Sequence, residues 1–159
     1  MALTSSMNIL DIVSENALMI TLGTSPQTYC KYYSSEKWEH NLLDDPANFP
    51  LLFMLRPITE SGKIHPQGNP ESTYAFLFFF FSGTVELNAP QSDKDPLLSA
   101  AIEMKRQFII RLNNDGRIKK LGDYSCDEIL EDPDFDVNPC GVVLKISVTV
   151  DDSNAVCLE

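Results

Sequence analysis

Oxygen-bearing side chains recur at every second position in DPDFDVN, where Asp132, Asp134, Asp136 and Asn138 have a spacing that suits calcium. An EF-hand loop also needs a glycine at its sharp turn and a bidentate glutamate at its end. Val137 and Val143 stand at those positions, so the acidity is read as loop solvation and no metal is expected. His40 lies near Glu36 and Glu39, and His65 precedes Pro66, but neither has a base or ligand partner at motif spacing. The serines lack a GxSxG setting, and no glycine-rich loop could cradle a phosphate. Cys30, Cys126, Cys140 and Cys157 contain no CxxC pair, which leaves free, partly buried thiols as the expectation. These residues predict no enzyme and no cofactor. Tyr32, Tyr33 and Trp38 form an aromatic group in a polar context, readable as peripheral core packing or as interface anchors.

The elements that position such groups are organised around residues 72–82, STYAFLFFFFS. Successive side chains of a strand point to opposite faces, so this run predicts an interior strand that needs cover on both sides. Burying one Phe is worth roughly 1.5 to 3 kcal/mol, which makes the run a large part of the folding drive. The expected cover for one face is an amphipathic helix in which Leu97, Ala101, Met104, Phe108 and Leu112 form a stripe. Leu98, Ile102 and Ile109 broaden the stripe, and Glu103, Arg106 and Arg111 line the other side. Asp95 and Pro96 read as its N-cap and first residue, and Asn114 with Gly116 as its stop.

Before the aromatic run, Thr4, Ser5 and Ser6 offer caps to a short helix through Met7, Ile9, Leu10 and Val13 that ends before Asn16. Residues 17–22 are apolar, 23–26 supply a turn, and 27–33 read as one strand. A polar connection over 34–47 leads to PLLFMLR, an interior strand over 50–56 entered through a proline. Residues 58–71, rich in Gly, Pro, Ser and Asn, read as a projecting hairpin or arm. Ile58, Lys63, Ile64, His65 and Gln67 are its candidates for touching a neighbouring molecule. After the long helix, a weaker strand runs from 117 toward 129, an acidic loop covers 127–138, and GVVLKISVTV over 141–150 alternates as a half-buried strand.

At 159 residues the chain predicts a single α+β domain over 1–159, a mainly antiparallel sheet packed against an amphipathic helix. A net charge of -11 argues against nucleic-acid binding, which depends on clustered Lys and Arg. Arg111, Arg117, Lys119 and Lys120 form a small basic segment, read as a solvated helix end and strand. Asp127, Glu128, Glu131, Asp132, Asp134 and Asp136 concentrate the acid in one stretch. No apolar run approaches the ~20 residues of a membrane span, and the first residues lack a basic segment followed by an apolar core. Synthesis in the cytosol is the expectation.

The order of elements, with FPLLFMLRP, the aromatic strand after a polar arm, DPLLSAAIEMKRQFIIRLN and NPCGVVLKISVTV followed by Cys157, resembles the tail terminator and neck-ring proteins of tailed bacteriophages. The resemblance covers most of 49–157 in pattern and order. It implies a tail-terminator-like fold and a structural virion protein of the neck or tail, a self-assembled ring of six or twelve copies. Portal, adaptor or tail-tube proteins would be its neighbours, and DNA would only pass through the lumen. An acidic lumen would let DNA slide, which the net charge suits. The long 34–47 connection and the acidic loop depart from the pattern. The competing expectation is a monomeric or dimeric cytosolic protein-binding module without catalytic activity.

Overall fold

The computed structural model describes residues 8–24, 26–36, 45–56, 58–64, 70–86, 89–129 and 138–151. The chain is α+β: the described residues form two helices against a mainly antiparallel six-stranded sheet and a separate two-stranded sheet. Helix α1 (Ile9–Ala17) is capped by Asn8, whose side-chain oxygen accepts from the Leu10 N–H at 2.9 Å. The expected caps Thr4 to Ser6, and Met7, lie outside the described residues. Ile9, Ile12, Val13 and Ala17 form the buried stripe, and the helix runs through Asn16.

The single strand expected over 27–33 is two strands. β1 (Thr21–Leu22) and β2 (Thr28–Tyr29) make the small antiparallel sheet around a turn with Gly23 at φ 80°. β3 (Lys31–Ser35) belongs instead to the main sheet, parallel to β4 (Leu51–Leu55). The change of partner falls at Cys30: its N–H donates to the Ile20 carbonyl at 2.8 Å, and the next N–H, of Lys31, donates to Pro50 at 2.8 Å. Side-chain alternation carries no information about which strand the backbone bonds, so the break left no trace in the pattern. A short 3₁₀ turn, Pro46–Asn48, precedes β4, with the Asp45 carboxylate accepting from the Ala47 N–H.

The main sheet has the order β3, β4, β6, β8, β7. The aromatic strand β6 (Glu71–Val85) is longer than 72–82 and sits in the interior as expected. β8 (Asn138–Asp151) pairs along its whole length on one side. On the other side, β4 takes the Phe78 to Phe81 portion and β5 (Thr59–Lys63) takes the Glu71 to Ala75 portion. β7 (Ile118–Ile129) closes the sheet beyond β8, and it includes Asp127 and Glu128, which the sequence placed in the acidic loop. Residues 130–137 of that loop lie outside the described residues.

Helix α2 (Gln91–Asn114) covers one face of the sheet. Ala101, Met104, Phe108 and Leu112 are buried, with Leu98 and Ile109 packed at the margin, while Ile102 is exposed and does not join the stripe. The helix begins before Asp95 and contains Pro96. The ring removes one N–H that would have met the Ser92 carbonyl, a loss confined to the first turns. Asp95 accepts from the Gln91 side-chain amide at 2.8 Å, one turn back, instead of capping. At the far end Asp115 is extended, and its N–H donates to Leu112.

The two faces of β6 have different cover. Phe76, Phe78 and Phe80 face α2 with Leu52, Met54, Val142, Leu144, Ile146, Val148 and Val150, forming the main core. On the opposite face, Leu51 and Phe81 are fully buried in a smaller cluster with Phe49, Phe79 and Ile129. Toward the arm that second face opens to solvent, with Ala75 and Lys145 exposed and the Thr73 and Thr149 hydroxyls 2.8 Å apart. The pairing slips between Phe81 and Gly83, where the Ser82 hydroxyl donates to the Leu97 carbonyl of α2 at 2.6 Å.

Candidate assembly interface

The arm is built on β6. All residues of β5 are exposed, and they pair antiparallel with Glu71 to Ala75, while β8 continues along the other side as far as Asp151. Lys119 of β7 forms an ion pair with Glu71, which stands opposite Lys63, so it braces the hairpin at the loop end of its strands. The arm therefore extends the sheet in its own plane. Ile58 is half-buried and packs against the main core, so it roots the arm and is not a contact at its tip. Lys63 is exposed, and Ile64 is 91% exposed. An isoleucine so placed contributes nothing to this chain's own core. His65 and Gln67 lie outside the described residues.

The three aromatic candidates do not form one group. Tyr32 and Tyr33 are consecutive in β3 and take opposite faces. Tyr32 is half-buried against the main core with its hydroxyl directed at Met54 Sδ, 3.7 Å away, and burial raises its pKa against the lowering influence of Ser34 and Arg56. Tyr33 remains partly exposed and donates to Asn48 Oδ1 at 3.4 Å. Trp38 lies outside the described residues.

Thiol chemistry is disfavoured at the described cysteines. Burial pushes the Cys30 thiol up to about 12 and raises those of Cys126 and Cys140 as well, so none offers a thiolate near neutrality. Among the described residues no group of three or more His, Cys, Asp and Glu is gathered to hold a metal ion. Asn138 begins β8, whereas Asp132, Asp134, Asp136, His40 and Cys157 lie outside the described residues.

Two of the basic residues are engaged. Arg117 holds Asp115 through its Nε and Nη2 at 3.0 and 2.8 Å and reaches Glu15 at 2.7 Å, and Lys119 pairs with Glu71. Asn16 donates to the same Asp115 carboxylate at 2.9 Å, so this network fastens α1 to the turn between α2 and β7. The Arg117 hydrogen bonds hold the Asp115 carboxyl down to about 2, against the opposing effect of burial. Nearby, Asn16, Gln107, Ile110 and Arg111 line a polar cleft of about 540 Å³.

An open hollow of about 560 Å³ lies across Ala75, Leu77, Tyr124, Lys145 and Ser147. Tyr124 is 53% exposed on β7, a feature that the sequence reading passed over. Its signal was the DYS triplet in an otherwise charged strand, but only the strand's pairing shows how the ring is presented. Among the described residues no helix is long and apolar enough to cross a membrane. No protein-family model matches the chain, and no curated protein matches it.

Proposed function

We propose that this chain is a structural ring subunit of the neck or tail of a tailed bacteriophage, joining head to tail or ending the tail tube. In this reading it has no catalytic role. The observation that carries the proposal is the hairpin arm: β5 is exposed throughout and leads into Ile64, whose side chain is 91% exposed. An exposed apolar residue at the end of a braced strand suits a heterologous contact, and such contacts close into rings when the rotation allows. Six or twelve copies would surround a lumen through which DNA passes, with portal, adaptor or tail-tube proteins above and below. The charge of -11 favours passage over retention.

Native mass spectrometry with negative-stain microscopy tests the reading, on the chain alone and mixed with a portal or tail-tube protein. Closed rings are the expected result. Deleting residues 61–69 should spare the fold and abolish the rings. A chain that stays monomeric or dimeric in every mixture overturns the proposal. That outcome would favour the second reading, a protein-binding module of the cytosol, which one observation supports: Phe78, Phe80 and Phe81 are fully buried within one chain and need no neighbour to cover them.

A further inference from the structure

β7 pairs with β8, and among the described residues its other edge pairs with nothing. Such an edge presents free N–H and C=O groups along its length. Lys119 and Lys120 stand near its start, Asp127 and Glu128 near its end, and exposed Asp123 and Tyr124 lie between. Lys119 is engaged with Glu71. Lys120, Asp127 and Glu128 form no ion pair among the described residues.

The pairing with β8 gives each residue a level and a face. Lys120 stands opposite Thr149, Leu121 opposite Val148, Tyr124 opposite Ile146, Cys126 opposite Leu144 and Asp127 opposite Val143. In an unbroken strand Lys120 and Asp127 would point to opposite faces, because an odd number of steps separates them. The slip between Leu121 and Tyr124 inserts an extra residue and brings both to the face away from α2. Ile146, opposite Tyr124, is midway between Val143 and Thr149. An axis through Tyr124 therefore relates the basic end of the strand to its acidic end.

We propose that β7 pairs antiparallel with β7 of a second copy about a two-fold axis through Tyr124, perpendicular to the sheet. Tyr124 then faces its own copy, Leu121 faces Cys126 on the core side, and Lys120 faces Asp127 on the other side, each pair occurring twice. Opposite charges set across from one another stabilise strand pairing, and like charges there oppose it. A shift of register brings Lys120 away from Asp127, so the charges select this alignment. The contact is isologous and goes beyond the head-to-tail contact proposed for the arm. It stands whether or not the chain serves in a virion.

Sedimentation equilibrium and native mass spectrometry of the full chain test it. The expected species contain an even number of copies. Lys120→Asp or Asp127→Lys alone should weaken this association by about tenfold or more, since like-charge contacts at interfaces are strongly unfavourable. Combining both substitutions in one chain should restore it, as should mixing the two singly substituted chains, which complement each other across the axis. A chain that is monomeric up to about 100 μM overturns the proposal, taking the usual range of specific association as the scale. It is equally overturned if the reversals have no effect or if neither the combination nor the mixture restores association. The latter result would point to a different strand on this edge. Independently of folding effects from charge reversal, Tyr124→Cys should give a reducible, disulfide-linked dimer on oxidation, because directly opposed residues bring their Cβ atoms within reach. Absence of that dimer, with the wild-type chain associating, also overturns the assignment.

Discussion

Phe108 meets Phe78 edge-on, with ring centroids 4.9 Å apart and planes inclined by 74°, and meets Phe80 in the same manner at 5.7 Å and 61°. One side chain of α2 thus fills the space over two turns of the pleat of β6, where the main core is deepest.

Phe108→Ala should therefore destabilise the chain by about 3 to 5 kcal/mol, the range for removing a fully buried aromatic ring. Ile102→Ala, on the exposed side of the same helix, should change stability by no more than about 0.5 kcal/mol. Urea unfolding followed by circular dichroism measures both. Equal effects would contradict the assignment of the helix faces.

Gly141 lies against β6 beside the slip in pairing, and a Cβ there would run into the Phe80 carbonyl oxygen and lie 2.8 Å from Phe81 Cδ1. Gly141→Ala should cost at least about 2 kcal/mol, because backbone and a buried ring must both shift. At Gly116 an added Cβ meets nothing within 4 Å, and Gly116→Ala should be near neutral, within about 0.5 kcal/mol. The same unfolding measurement compares them.

The Asp115 carboxyl is held at about 2 by Arg117. A folded pKa below the unfolded value of about 3.9 gives stability that is present above pH 4 and lost as pH falls toward 2. Asp115→Asn should accordingly be less stable than wild type at pH 6, and the gap should narrow by pH 2.5. Unfolding curves at the two pH values decide the matter, and a gap that widens in acid would reject the assigned sign.

Thiol accessibility gives a separate check. At pH 8 Cys30, buried and raised to about 12, should resist iodoacetamide in the native chain and react on unfolding, while half-buried Cys126 should be alkylated before Cys30 and Cys140. Peptide mass mapping over a time course reads the order.

In the arm, Ile58 and Ile64 should separate two effects. Ile58→Ala should lower the stability of the chain by about 1 kcal/mol or more, because the side chain packs on the core. Ile64→Ser should leave the unfolding curve unchanged and, if the proposed ring forms, act only on its assembly, measured by native mass spectrometry.

The fold class, the interior position of the aromatic strand and the stripe of α2 were legible because each rests on a repeat short enough to read along the chain. Phe76, Phe78 and Phe80 alternate with Leu77, Phe79 and Phe81, and Ala101, Met104, Phe108 and Leu112 return at helical spacing. The candidate interface was less legible. Ile58 and Ile64 look alike in the sequence, and Tyr32 and Tyr33 look like one cluster, until the core claims one residue of each pair.

Sequence by itself determined the kinds of elements here, since periodicity and turn chemistry are local properties of neighbouring residues. Tertiary structure alone decided the change of partner at Cys30, the inclusion of Pro96 within α2, and the slips at Ser82 and at 122–123. The change of partner and the slips depend on backbone that arrives from another part of the chain. Tertiary structure also settled the cover of the aromatic strand: α2 packs over one face, and on the other the Leu51 and Phe81 cluster occupies one end while the arm end opens to solvent.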